Sequence, residues 1–222
     1  MEFDLVIRNG TVVDGTGETA RPADVGVTDG RISAIGKLDG ATAGEEIDAF
    51  GRVVSPGFID VHVHSEAQLA DPSNQTHYGS VMQGVTTHLT APDGFGWAGV
   101  EPDGARQLWQ STLFANGHAD LALNWPTPED YLAIFEGVTP VNVVPQVPHC
   151  AVRYDAMGWA ARPATDDELE RMRRSTRAWL EAGAVALCLG LDYQPSAFAD
   201  TRELVELSRI AREYDAIYAA HV

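Results

Sequence analysis

Two patterns of apolar and polar residues divide the chain into an N-terminal and a C-terminal part. In the N-terminal part, short runs in which apolar and polar residues alternate are separated by Asn9-Gly10 and Asp29-Gly30. Alternation is typical of strands with one buried face, and Asn-Gly or Asp-Gly between such runs is typical of tight hairpin turns. The pattern predicts a small β-sheet module over residues 1–54, with a turn at each dipeptide.

From residue 55 to residue 222, apolar runs alternate with segments of helical periodicity. The runs are apolar nearly throughout, as expected for parallel strands that are covered on both faces. We therefore predict that the second domain has an α/β fold with parallel strands. The predicted strands span residues 57–64, 86–92, 141–149, 184–191 and 216–222.

The helices predicted between these strands span residues 127–136, 165–183 and 200–214. The second begins with Thr165 and has Glu168 three residues later, which is the pattern of a capping box. The third begins in the same way with Asp200 and Glu203. Residues 91–105 are rich in Gly and Asp and lack periodicity, so we expect a functional loop there.

The composition narrows the range of partners. The chain has 222 residues and a net charge of −17, which disfavours nucleic acid and anionic membranes because both require clustered Lys and Arg. Cys150 and Cys188 do not suggest a disulfide framework, and no apolar run reaches ~18 residues. We expect a cytoplasmic protein that acts on a small molecule, without a nucleic-acid or membrane partner; a homo-oligomer is compatible with the sequence.

Polar side chains recur at the carboxyl ends of the predicted strands, where ligands bind in parallel α/β proteins. His62 and His64 are two residues apart and would point to the same side of a strand. A shared divalent metal ion would explain two neighbouring imidazoles; a pair of structural hydrogen bonds is the alternative. The other strand ends carry Asp93, His149, Tyr193 and His221.

The segment SPGFIDVHVH, which follows the β-module, resembles the start of the amidohydrolase superfamily. The blocks QGVTTHLTAPDGFGWAGV, LEAGAVALCLGLDYQP and ADTRELVELSRIAREYDAIYAAHV are similar to N-acyl-D-amino-acid deacylases (D-aminoacylases). The resemblance implies a (β/α)8 barrel with a β-sandwich built from both ends of the chain. Because a full barrel needs about 250 residues, we expect a partial (β/α)8 TIM-type barrel of five βα units at residues 55–222, preceded by part of the β-sandwich at residues 1–54.

The resemblance also implies a metal site. His62 and His64 match the metal-binding pair of the family, and His221 matches a further histidine ligand at the end of the fifth strand. Asp93 stands where the family often has a cysteine; a carboxylate also binds zinc, but Asp93 could instead only form a turn with Gly94. The implied cofactor is a divalent metal, zinc above all, as one or two ions.

The single lysine, Lys37, narrows the choice within the superfamily. Many amidohydrolases bridge two metal ions with a carboxylated lysine at the end of the fourth strand, and this chain has no lysine near Leu191. The hydantoinase-like and dihydroorotase-like branch is therefore disfavoured.

Other polar residues are expected to contact the substrate, to support a ligand or to lie at the surface. Tyr193 lies in the Gly-Leu-x-Tyr block of the family and is expected, together with His149, to contact the substrate. For His149 the alternative is a hydrogen bond within a loop. We expect His88 to pack in the core or to support a ligand, and His77 and His118 to lie at the surface.

The resemblance implies hydrolysis of a linear amide, most simply deacylation of N-acyl-D-amino acids by a hydroxide bound to the metal. The catalytic aspartate of the family is expected beyond Val222, so we expect an N-terminal portion of a longer enzyme that is inactive by itself. Two alternatives stay open: an amidohydrolase that acts on a different amide or a cyclic amide, and a non-catalytic barrel that has lost the site.

Overall fold

The structure, a computed structural model, describes residues 2–71 and 77–221. Contacts between residues divide the chain into two compact units, Met1–Gly57 and Phe58–Val222. The division lies close to the boundary predicted after residue 54. Whether the two units are separate domains stays a prediction.

The strands of unit 1 span β1 (Glu2–Val12), β2 (Arg21–Thr28), β3 (Arg31–Gly36), β4 (Thr42–Asp48) and β5 (Val53–Val54). They form a five-stranded sheet in the order β3-β2-β1-β4, with β5 paired to β1. β2 pairs antiparallel with β1 and with β3, whereas β4 and β5 run parallel to β1.

The two predicted turns of unit 1 have different outcomes. Asp29-Gly30 joins β2 to β3 and both residues have positive φ, which confirms the predicted hairpin. The prediction of a turn at Asn9-Gly10 is wrong, because β1 continues through the dipeptide and the register of β1 with β2 shifts there. Asn9 has a φ of 60°, which asparagine tolerates better than most residues, so the dipeptide forms a bulge within one strand.

The strands of unit 2 span β6 (Phe58–Asp60), β7 (Val85–Leu89), β8 (Asn142–Val144), β9 (Val147–Pro148), β10 (Ala186–Gly190) and β11 (Ile217–His221). They are parallel and neighbour one another in chain order, with one sheet β6-β7-β8 and a second β9-β10-β11. β8 and β9 are two pieces of the run predicted at residues 141–149, with Pro145 and Gln146 between them.

Four of the predicted strands end earlier than expected, β7 at Leu89 and β10 at Gly190 among them. β6 ends at Asp60, so His62 and His64 lie in the segment after the strand and not within it. β9 ends at Pro148, and His149 is the first residue of a helix. Val222, the last residue of the fifth predicted strand, lies outside the described residues.

Helices lie between the strands of unit 2. They span α1 (Glu66–Ala70), α2 (Tyr78–Val81), α3 (Pro102–Ser111), α4 (Leu113–Asn116), α5 (Pro128–Ala133), α6 (His149–Met157), α7 (Asp166–Glu181) and α8 (Thr201–Glu213). The predicted capping box of α7 is confirmed, because Thr165 Oγ1 accepts from Glu168 N at 3.3 Å and Glu168 Oε2 accepts from Thr165 N at 2.8 Å. In the parts of the chain that the structure describes, no helix is long and apolar enough to cross a membrane.

The stretch at residues 91–105, where we expect a functional loop, is irregular backbone up to α3. Most of its residues up to position 100 are buried, including Phe95 and Trp97, which belong to the hydrophobic core of unit 2. A short 3₁₀ turn covers Pro92–Gly94, and α3 begins at Pro102. The absence of periodicity therefore reflects irregular backbone packed inside the unit, with Asp93 on its first turn.

Candidate metal centre

Four of the predicted ligand residues come together around the carboxylate of Asp93. Asp93 Oδ2 lies 3.2 Å from His64 Nε2, and Asp93 Oδ1 lies 3.4 Å from His62 Nε2. Oδ1 also lies 3.2 Å from His221 Nδ1, at the end of β11. The side chains thus come from the segments that follow β6 and β7 and from the last residue of β11, as the strand-end rule predicts.

The arrangement fits a metal ion. His62, His64 and Asp93 each offer one ligand atom, and these atoms lie within 4.8 Å of one another. The Asp93 side chain is only 7% exposed, yet its Oδ1 makes no hydrogen bond among the residues that are described, and neither does the buried His64 Nδ1. Imidazole nitrogen and carboxylate oxygen are ordinary zinc ligands, so this donor set suits a divalent ion of that kind.

Burial sets the protonation of His64. Loss of solvent lowers the pKa of His64 below its usual value, although the negative charge of Asp93 opposes that effect. His64 is therefore neutral at pH 7, the form in which an imidazole nitrogen can bind a metal.

Backbone contacts hold Asp93 in place. Asp93 and Gly94 both have positive φ, at 58° and 69°. A Cβ at Gly94 would lie 2.6 Å from the carbonyl oxygen of Cys188, and a Cβ at Gly190 would lie 2.6 Å from the carbonyl oxygen of Asp93. The turn therefore packs directly against the backbone of β10, and only glycine fits at both contact points. Asp93 forms a turn and at the same time directs its carboxylate toward the histidines, so the two interpretations of this residue do not exclude each other.

A buried carboxyl group beside this turn was not predicted from the sequence. Glu66, in α1, is 3% exposed, and its Oε1 accepts a hydrogen bond from the backbone N–H of Ala91. Burial raises the pKa of Glu66 to about 7, while the Ala91 N–H acts in the opposite direction. A glutamate in the first turn of a helix is usually exposed, so the sequence contains no signal for this role.

Aromatic rings border the centre on one side. The ring of Tyr193 lies 5.3 Å from that of His221, and the ring of Phe95 lies 5.7 Å from that of His64. Phe95 and Tyr193 are 4.7 Å apart and, together with Phe114, line a cavity of about 380 Å³. This position suits the substrate contact expected for Tyr193, which stays a prediction.

His149 lies elsewhere. It is fully buried, with Nδ1 2.7 Å from Ser196 Oγ and Nε2 2.8 Å from Glu203 Oε1. Both ring nitrogens are occupied within the protein, which leaves no atom for the expected substrate contact. The hydrogen-bonded alternative describes His149 better, although its partners lie on distant segments and not in its own loop.

The other histidines are distributed as follows. His88 is fully buried in β7, as expected for a packing or supporting residue, and its Nδ1 lies 2.8 Å from Ser65 Oγ. His118 is exposed, as expected. His77, expected at the surface, is only partly exposed, and its ring meets that of His88 edge-on.

The chain is similar in sequence to known proteins. Residues 45–221 match the amidohydrolase family. N-acyl-D-glutamate deacylase of Alcaligenes xylosoxydans xylosoxydans is 36% identical over 227 residues, which cover 100% of this chain and 44% of that protein. D-aminoacylase of the same organism is 34% identical over 228 residues, with coverage of 99% and 44%.

A solved structure has the same mixed α/β fold. The crystal structure of N-acyl-D-glutamate deacylase from Bordetella bronchiseptica matches with a TM-score of 0.88 and 33% identity, over 100% of this chain and 45% of the other. That crystal contains zinc and a phosphonate inhibitor that mimics the tetrahedral intermediate of the reaction. The chain spans less than half the length of these relatives. The sequence match, the fold and the histidine pair agree, and the chain belongs to the amidohydrolase family.

Proposed function

We propose that the protein is a metal-dependent hydrolase that deacylates N-acyl-D-amino acids. The observation that carries the proposal is the Asp93 carboxylate with three imidazoles within 3.4 Å of its oxygens. The names of the relatives support the substrate class, because one is an N-acyl-D-glutamate deacylase and the other a D-aminoacylase.

The metal would be held by His62, His64, Asp93 and His221, as one or two zinc ions. A bound zinc ion lowers the pKa of its water and polarises the amide carbonyl, which is the chemistry that amide hydrolysis needs. Asp93 contributes a negative charge to the centre and, as a carboxylate, is a harder ligand than a thiolate, so Mn²⁺ and Fe²⁺ are acceptable substitutes for zinc.

The protein's own side chains have separate tasks in this proposal. His64 stays neutral and keeps a ring nitrogen free to bind the metal, because burial lowers its pKa. Tyr193 and Phe95 exclude water from one side of the centre and orient the substrate by contact with its apolar part. Asp192 Oδ2 lies 3.5 Å from His221 Nε2 and orients that ring.

We further propose that the five parallel strand positions of unit 2 are part of a (β/α)8 barrel in the whole protein, with unit 1 in a β-sandwich. The consecutive, parallel strand order supports this, and so does the greater length of the relatives. A cytoplasmic location, a small-molecule substrate, and the absence of a nucleic-acid partner stay predictions.

The test uses the protein at its full natural length. Zinc content and release of the free amino acid are measured with N-acetyl-D- and N-acetyl-L-glutamate, with N-acetyl-D-leucine and with a hydantoin. We expect zinc and D-specific deacylation, both of which are lost in His64→Ala and kept in the control His118→Ala. A folded protein without metal would support a non-catalytic barrel instead, and turnover of the hydantoin alone would identify a cyclic-amide hydrolase.

A further inference from the structure

A second pair of histidines lies in unit 2, away from Asp93. His88 is the last residue but one of β7 and has no exposed surface, and His77 directly precedes α2. Their ring centroids are 5.5 Å apart, and the ring planes meet at 77°. We call these two residues the His77–His88 pair.

One ring nitrogen of each histidine in the pair is buried without a hydrogen-bond partner among the described residues. His77 Nε2 and His88 Nε2 are both buried, and neither makes a hydrogen bond to any part of the chain within residues 2–71 and 77–221. Buried polar atoms in proteins are nearly always hydrogen-bonded, so two unpartnered nitrogens on neighbouring rings point to a bound group that supplies the contacts.

The geometry of the pair matches that of the candidate metal centre. The rings of His62 and His64 are 5.6 Å apart at an angle of 80°, which is nearly the same as in the His77–His88 pair. The same ring separation and angle therefore already occur at the candidate metal centre of this chain.

Protonation and hydrogen bonding also favour a metal ion. Burial lowers the pKa of His77 and of His88, so both rings are neutral at pH 7. Ser65 Oγ lies 2.8 Å from His88 Nδ1 and can accept its proton. That bond leaves the lone pair of His88 on Nε2, which is how supporting oxygens orient histidine ligands in known metal sites.

The surroundings of the pair suit a cation. Asp60 is the register partner of His88 on the neighbouring strand, and its negative charge acts on the His88 ring. His77 has a φ of 39°, an unusual backbone conformation for a residue with a side chain, and such conformations concentrate at ligand sites. His77 is partly exposed, so an ion can enter from that side.

From this geometry we propose that His77 and His88 bind a second transition-metal ion, of the Zn²⁺ or Cu²⁺ class, through their Nε2 atoms, with Ser65 fixing the His88 ring. Imidazole nitrogen suits these borderline ions and does not suit Mg²⁺ or Ca²⁺. With two protein ligands, water completes the coordination, and the ion links His77 to the strand β7.

The experiment first removes two histidines of the Asp93 centre, so that metal bound at the His77–His88 pair can be measured by itself. Zn²⁺ and Cu²⁺ are titrated by calorimetry into the chain carrying His62→Ala and His64→Ala, and the stoichiometry is measured. We expect about one equivalent to remain bound, to be lost when His77→Ala is added, and to persist when the exposed control His118→Ala is added instead. Absence of binding to the chain carrying only His62→Ala and His64→Ala, or binding that His77→Ala leaves unchanged, would overturn the proposal.

A second measurement does not depend on whether the variant with His77→Ala folds. Ring ¹⁵N resonances of histidine are followed by NMR in the same double variant while metal is added. The proposal requires the Nε2 resonances of His77 and His88 to shift together. If they stay in place while the fold is intact, the pair holds only a water molecule and the proposal is wrong. The proposed deacylase function is not affected by either result, since it depends on the Asp93 centre alone.

Discussion

The buried ion pair between Glu203 and Arg153 allows a quantitative prediction of stability. Glu203 is 1% exposed and Arg153 is fully buried. The carboxylate accepts hydrogen bonds from Arg153 Nη1 and from His149 Nε2. Burial raises the pKa of Glu203, but the bonds from His149 and Arg153 outweigh that effect and leave it below its usual value. The carboxylate is therefore ionised at pH 7 and balances the charge of the guanidinium.

Glu203→Ala should destabilise the chain by about 3–5 kcal/mol, because it leaves the Arg153 charge buried without a counter-charge. For a chain of this size, 1 kcal/mol corresponds to a change of about 2–4 °C in Tm, so the expected decrease in Tm is roughly 6–20 °C. The free energy is measured by urea unfolding at pH 7, and Tm by circular dichroism.

Two further variants test the reasoning. Glu206 lies on the same helix α8 and pairs with Arg173 at the surface, so Glu206→Ala should cost less than about 1 kcal/mol. Combining Arg153→Met with Glu203→Leu removes both charges, and this variant should be more stable than Glu203→Ala alone. A Glu203→Ala variant no less stable than Glu206→Ala would refute the argument from a buried, unpaired charge.

Three other predictions concern pH and the turn at Asp93. The pKa of Glu168 is lowered from 4.5 to about 2, so the stability that this carboxylate contributes is present above pH 4.5 and is lost as the pH falls toward 2. In a plot of unfolding free energy against pH, Glu168→Gln should flatten this part of the curve. Because the pKa of Glu66 is raised from 4.5 to about 7, the metal-free chain should lose stability between pH 4.5 and 7, and the same profile for Glu66→Gln should not show this loss. Gly94→Ala should destabilise the chain and weaken zinc binding in calorimetry. Gly137 is the control, because it has the same φ of 69° but nothing within 4 Å of the added carbon. Gly137→Ala should lower the free energy of unfolding by only about 1–2 kcal/mol and leave zinc binding unchanged.

Local sequence patterns predicted the features that depend on local interactions. The alternation of strands and helices, the hairpin at Asp29-Gly30 and the capping box at Thr165 follow from neighbouring residues, and the structure confirms them. The rule that ligands lie at strand ends brought His62 and His221 into one hypothesis although they are far apart in the chain, and the structure places both beside Asp93.

The features that the sequence did not predict depend on contacts between distant segments. Asn9-Gly10 is a bulge because β1 continues past it, which no property of the dipeptide reveals. His149 is buried because Ser196 and Glu203 satisfy its ring nitrogens from 47 and 54 residues away. Glu66 accepts from a backbone N–H 25 residues further along the chain, and only the folded structure brings that group to it.

The contact between the Asp93 turn and β10 determines which substitutions this part of the molecule tolerates. Gly94 and Gly190 place main chain against main chain, with the carbonyl oxygens of Cys188 and Asp93 at the points of contact. The ring of Tyr193 also packs at Gly190, where its Cδ2 would lie 2.7 Å from an added Cβ. The position of the Asp93 carboxylate therefore depends on two residues without side chains, and a substitution at either would move the turn without changing any candidate ligand.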